Sequence, residues 1–138
     1  MRYVFIFFTL GALTTIRAAT ISLSTTGLHT CATTESGVGY CWGHNDWAQL
    51  GLGTLLPTKE PKKVGAGLLQ MKVSRYHTCA LTPQGKVKCW GRNNFGQLGL
   101  GRKDVMVGSS PKETVDQLPF LDLGTEEKAV DLAVANSH

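Results

Sequence analysis

The sequence predicts an all-β protein, an incomplete β-propeller of about two four-stranded antiparallel blades built from repeats of 48 residues. Three observations carry this. Residues 29–53, HTCATTESGVGYCWGHNDWAQLGLG, return at 77–101 as HTCALTPQGKVKCWGRNNFGQLGLG, identical at 15 of 25 positions with one constant offset and no gap. Self-similarity at a fixed period is the mark of a repeat architecture. Each copy also places two strand-length runs around a short Gly-containing loop, which reads as a hairpin. Finally, an apolar strand (LLQMKVS, 68–74) and a Gly-rich corner complete three to four short strands per unit, with no helical pattern, as in one propeller blade.

The hairpins come first. Pro83-Gln84-Gly85 and Glu35-Ser36-Gly37 are the loops. A three-residue loop commonly joins a type I turn to a left-handed residue, a place that glycine suits. Counting outward from the second loop pairs Thr82 with Lys86, Leu81 with Val87 and Cys79 with Cys89; the first loop pairs Cys31 with Cys41 by the same count. Opposed residues in an antiparallel pair have Cα atoms about 4.5–5.5 Å apart, within disulfide reach. Of the three ways to connect four cysteines, the register selects 31–41 and 79–89. Each bridge is worth about 2–3 kcal/mol in the chain-entropy view. Zinc is a poor reading, because no C-x-x-C occurs.

The corners follow. In WGRNNFGQLGLG the Asn and Gln side chains are expected to cap the turn backbone. Trp42 and Trp90 follow the second cysteine of each pair and suit packing between blades. Gly43, Gly51, Gly91 and Gly99 recur as structural positions, with His29 and His77 at the strand starts. A third His, His138, occupies the same place at the end of AVDLAVANSH, which parallels LLQMKVSRYH before the second copy. A repeat-periodic histidine sits in different blades, so a hydrogen bond explains it better than a metal or a catalytic role.

The first 18 residues read as a signal peptide: Arg2, an apolar run from Tyr3 to about Leu13, then Ala18 and Ala19. The apolar run is shorter than the roughly 20 residues a membrane helix needs, so a membrane is expected only through an uncleaved leader. Residues 19–138 form the repeat region, with cores at 29–53 and 77–101 and a third repeat truncated at 138. Fewer than about three units rarely bury a core alone, so the chain is expected to be part of a longer one. Its open blade edges are expected to invite aggregation. A leader and an even cysteine count agree on a secreted or extracytoplasmic protein.

Formal charge is +4, and 4 − 2 = +2 without Arg2 and Arg17. The remaining basic residues are scattered, so no nucleic-acid partner is expected. GQLGLG lacks the Lys-Ser/Thr and the helix of a phosphate loop. No catalytic residue, metal site or cofactor is indicated, and no enzyme activity is expected. Candidate contacts to a protein or glycan ligand are Trp47 and Phe95 on the corners, though folding over the Gly-rich turn is the favoured reading, and Met106 and Phe120 in the segment 102–128. That segment is the part the repeat does not dictate. From Cys41 to His77 is 36 residues and from Cys89 to His138 is 49, an excess of 49 − 36 = 13. Loops on a rigid scaffold often carry binding residues.

HTCAL, a Gly turn and CWGxNxxGQLGLG resemble the repeat of the regulator of chromosome condensation family, and the likeness covers roughly residues 20–138. The resemblance implies a seven-bladed propeller in which the sequence repeat is offset from the structural blade. Paired cysteines resemble the version found in secreted proteins. The family name comes from a nuclear protein that exchanges nucleotide on the Ran GTPase, and no residue here carries that activity over; an intracellular exchange factor or chromatin-associated propeller is the alternative. Two positions depart from the second copy: Ala48 stands for Gly96 and Gly39 for Val87, which suggests a weaker first unit.

Overall fold

A computed structural model of the chain describes residues 22–26 and 28–135. The signal peptide expected at 1–18 and the third repeat histidine, His138, lie outside the described residues. Two four-stranded antiparallel sheets stand side by side, each in simple sequence order. The first blade is β1 (Ser22–Thr25), β2 (His29–Thr33), β3 (Gly39–Gly43) and β4 (Thr58–Gly65). The second is β5 (Gln70–Val73), β6 (His77–Leu81), β7 (Val87–Arg92) and β8 (Met106–Val107).

The central hairpins have the register the loops dictate. Cys31 opposes Cys41 and Cys79 opposes Cys89, and both pairs are disulfides. Thr34 N–H donates to Val38 O and Thr82 N–H to Lys86 O, closing the two loops. Gly37 and Gly85 both take φ +78°, the left-handed corner that a side chain would strain. Cystines, Leu81, Val87, Met71 and Trp90 join one core running through both blades.

The blades are not equal copies. Gly39, the counterpart of Val87 one repeat earlier, leaves room for the second blade: a Cβ there would lie 2.8 Å from Leu68 Cδ1 and 3.0 Å from Met71 Cε. The glycine that suggested a weaker first unit is therefore a packing site between blades. At the outer edge, β4 carries Lys59, Pro61, Lys62 and Lys63, all exposed. Charge and proline on an edge strand oppose pairing with another chain, so this edge is blunted rather than open.

The excess in the second unit is spent inside the protein. Beyond the two-residue β8, the chain makes a 3-10 turn at Pro111–Glu113 and runs back over the first blade. Val115 and Leu118 are buried, and Ala66 N–H donates to Asp116 Oδ1 at 3.3 Å. Lys88 Nζ donates to the carbonyls of Val115 (2.8 Å) and Asp116 (3.0 Å), and burial lowers its pKa. Much of the segment considered as a free binding loop is thus a strap across both blades.

The chain then starts a third unit. Ala129 N–H donates to Gly85 O at 2.9 Å, repeating Leu68 N–H to Gly37 O at 3.0 Å. Leu132 and Val134 pack on the core where Met71 and Val73 stand one unit earlier.

Candidate functional site: an arginine among three aromatic rings

The corners that follow β3 and β7 are built alike. Asn45 Oδ1 accepts from Leu50 N–H, and its amide donates to Thr54 O and Leu56 O. Asn93 Oδ1 accepts from Leu98 N–H, and its amide donates to Arg102 O. Gln49 Oε1 accepts from Trp47 N–H, and Gln97 Oε1 from Phe95 N–H, each at 2.9 Å. These are the local caps expected of Asn and Gln. Their effect is to hold residues 47 and 95 at fixed points on each corner.

Next to each corner the strands come unusually close. A Cβ on Gly91 would lie 2.5 Å from Tyr76 O. Its absence lets Arg92 N–H donate to Tyr76 O at 2.9 Å, setting Arg92 beside Tyr76. The guanidinium carbon of Arg92 lies 4.7 Å from the Trp47 ring centre, 5.3 Å from Tyr76 and 5.4 Å from Phe95. Trp47 meets Tyr76 edge-on at 6.3 Å, and Arg75 lies 5.2 Å over Tyr76. A cation over an aromatic face is attracted by the ring quadrupole. The cluster therefore joins the corner of one blade to β7 and the β5–β6 turn of the next.

The four residues proposed as partner contacts separate. Trp47 and Phe95 belong to the cluster, and Met106 pairs with Arg92 across β7 and β8. Phe95 does not fold over its corner: it is 69% exposed. Phe120 lies near the other end of β7, about 20 Å away by strand length, under Lys86 (5.1 Å) and Lys88 (4.7 Å). It borders a 370 Å³ cleft with Gln84, Lys86, Asp122, Glu127 and Lys128. Sequence reasoning missed Arg92, Tyr76 and Arg75. The available signal was position 92 itself, where the first copy has His44 between repeat-dictated neighbours.

The repeat histidines are inside the protein. His77 Nδ1 is 2.6 Å from Ser74 Oγ. His29 Nε2 is 2.8 Å from Thr78 Oγ1 in the other blade. Thr78 donates its own hydroxyl hydrogen to Gln49 O at 2.8 Å, so His29 must be the donor through Nε2. His29 Nδ1 is then an acceptor, and it is buried without a partner among the described residues. The reason lies one unit apart: Thr26 stands where Ser74 serves His77, but Thr26 Oγ1 donates to Ser74 O at 2.9 Å instead. Burial lowers the pKa of His29 to about 4, helped by the nearby His77 and His44, and burial also lowers that of His77. Among the described residues no three His, Cys, Asp or Glu side chains group to hold a metal. Nor, among those residues, is any helix long and apolar enough to cross a membrane.

Two disulfide-braced, four-stranded blades that share a core and carry corners built alike define a segment of a β-propeller. The regulator of chromosome condensation (RCC1) repeat matches residues 36–81 and 84–138, and a second form of the same repeat matches 70–97; the chain belongs to this family. The first match runs from the loop of the first hairpin to the end of β6, so the sequence repeat straddles two blades. Among solved structures, the chain is similar to yeast RCC1 (Prp20) bound to Kap60, at 26% identity and TM-score 0.67, covering 91% of this chain and 28% of that one. It is similar to Prp20p of Saccharomyces cerevisiae, described with its binding to Gsp1p and histones, at 28% identity and TM-score 0.58 over 81% of this chain and 26% of that one. Human WBSCR16 shares the fold at 22% identity and TM-score 0.59, over 71% of this chain and 26% of that one. The chain thus spans about a quarter of the length of these proteins. No curated protein sequence matches it.

Proposed function

We propose that the chain is part of a secreted, non-catalytic propeller that binds another protein through its corner face. The surface cluster of half-buried Trp47, Tyr76 and Arg92 with exposed Phe95 carries this reading. Trp, Tyr and Arg are the residues that most often dominate interface energy. Here Trp47 and Phe95 stand on capped corners, and Arg92 and Tyr76 are tied together by a backbone hydrogen bond, on a cross-linked scaffold, so little ordering entropy remains to be lost on binding. Similar solved propellers are described with protein partners, which supports a protein over a glycan. The two disulfides support an oxidising compartment.

A photo-crosslinking residue at position 95, with a control at exposed Lys62 on β4, tests the binding face in the native source. A protein-sized adduct from 95 and none from 62 is expected; equal adducts, or none at 95, overturn the reading. Intact mass with and without reduction tests secretion. Loss of the leader and four cysteines that alkylate only after reduction are expected. A retained Met1 with free thiols would favour the second reading, an intracellular exchange-factor or chromatin-associated propeller, for which the likeness to Prp20 is the supporting observation.

A further inference from the structure

We propose that Arg92 is a receptor for a carboxylate side chain in an acidic segment of the partner protein. The inference rests on the protein-binding reading and names the chemistry of its partner. It comes from comparing one position in the two blades. In the first blade His44, the counterpart of Arg92, has its own acid: His44 Nδ1 lies 3.3 Å from Asp46. In the second blade the counterpart of Asp46 is Asn94, and Arg92 Nε–H donates to Asn94 Oδ1 at 2.8 Å. The cation is stronger and permanent, and the residue beside it has become a neutral amide. No ion pair among the described residues includes Arg92.

The remaining geometry suits an incoming carboxylate. Asn94 takes the Nε–H and fixes the plane of the guanidinium. The rings of Trp47, Tyr76 and Phe95 meet a cation through their negative faces and offer no anion. Among the described residues no hydrogen bond uses the other guanidinium N–H groups, and a planar fork of such donors matches a carboxylate in two parallel bonds. Arg75 lies over the Tyr76 ring on the same face, at 5.2 Å. The most exposed phenylalanine among the described residues, Phe95, lies beside this position and suits an apolar neighbour of the acid. Two arginines among aromatics, without a basic stripe, fit a protein acid better than a phosphate backbone.

The test uses the full chain and three labelled probes: a peptide alternating Glu and Leu, its Gln counterpart, and a thymidine oligonucleotide. Binding is read by fluorescence anisotropy, and the Arg92 Nε–H resonance is followed by NMR. The Glu peptide is expected to shift that resonance and to bind about tenfold or more tighter than the Gln peptide at low salt, with the gap closing as salt screens the pair. Asn94→Asp restores the internal acid of the first blade without touching the core. It and Arg92→Gln should each bring the Glu peptide within about twofold of the Gln peptide, by removing the charge-assisted pair. Phe95→Ala should weaken both peptides. Unchanged urea midpoints for these variants separate a binding effect from unfolding. Equal affinity for the two peptides, an unmoved Arg92 resonance, a wild-type preference in Asn94→Asp, or tighter binding of the oligonucleotide would each overturn the proposal. If position 95 still crosslinks to a protein while the peptides are not distinguished, the acidic partner is wrong and the protein-binding reading survives.

Discussion

The indole N–H of Trp90 donates to the carbonyl of Gln49 at 2.9 Å, and the two residues belong to different blades. The same carbonyl accepts from Thr78 Oγ1 at 2.8 Å. One backbone oxygen on the corner of the first blade thus fastens two strands of the second. Trp90 is fully buried there. Trp90→Phe keeps most of the apolar volume but loses the bond and opens a small void, so it should cost about 2 kcal/mol. The check is a lower urea midpoint at unchanged slope. The same change at Trp42, which is only half-buried, should cost clearly less.

Glycines 51 and 99 occupy the same place in the repeat and should respond differently to alanine. A Cβ on Gly51 would lie 2.5 Å from Val115 Cγ2 and 2.7 Å from Trp90 Nε1, whereas at Gly99 its nearest neighbour would be Leu121 Cδ1 at 3.7 Å. Both residues have left-handed φ, +68° and +69°. Gly99→Ala should therefore cost only the backbone strain, about 1 kcal/mol. Gly51→Ala adds a clash with the strap and the indole and should cost about 3 kcal/mol or more. Equal losses in urea midpoint would contradict the close packing over Gly51.

The repeat made the hairpin register, both cystines and the Asn and Gln caps legible, because each is set by residues a few positions apart. Contacts between blades were less so. Gly39 reads as a weak strand residue until Leu68 and Met71, some 30 residues on, are placed against it. The segment 102–128 carries no periodicity, so nothing local marks Val115 and Leu118 as buried. Arg92 was hidden for the opposite reason. It stands inside a recognised motif, while its partners Trp47 and Tyr76 come from the corner of the other blade and from the β5–β6 turn. A site assembled across a blade boundary leaves no spacing signature in one unit.

Ala48 is a strained residue in an otherwise glycine position. It takes φ +59° where its counterpart Gly96 has +77°. A side chain in this region costs about 1 kcal/mol or more, partly offset by the extra freedom glycine has in the unfolded chain. Ala48→Gly should therefore stabilise the protein by about 0.5–1 kcal/mol, read as a raised urea midpoint. A fall would mean that its buried methyl contributes more than the strain costs.

Acid should weaken the protein through its buried histidines. His29 titrates near 6.5 when unfolded and at about 4 when folded, because burial disfavours the charged ring and His77 and His44 lie nearby; among the described residues its Nδ1 has no partner. Between those values the unfolded chain binds a proton that the folded chain refuses. The stabilisation is complete above pH 6.5 and is lost as pH falls toward 4, a change of about 3 kcal/mol from this group alone. His77 acts in the same direction. His29→Gln can keep a donor to Thr78 while removing the titration. The variant should be less stable than wild type at pH 7, and its stability should fall less between pH 7 and pH 4. Parallel profiles for the two proteins, measured by urea unfolding across that range, would rule out His29 as the source of the acid sensitivity.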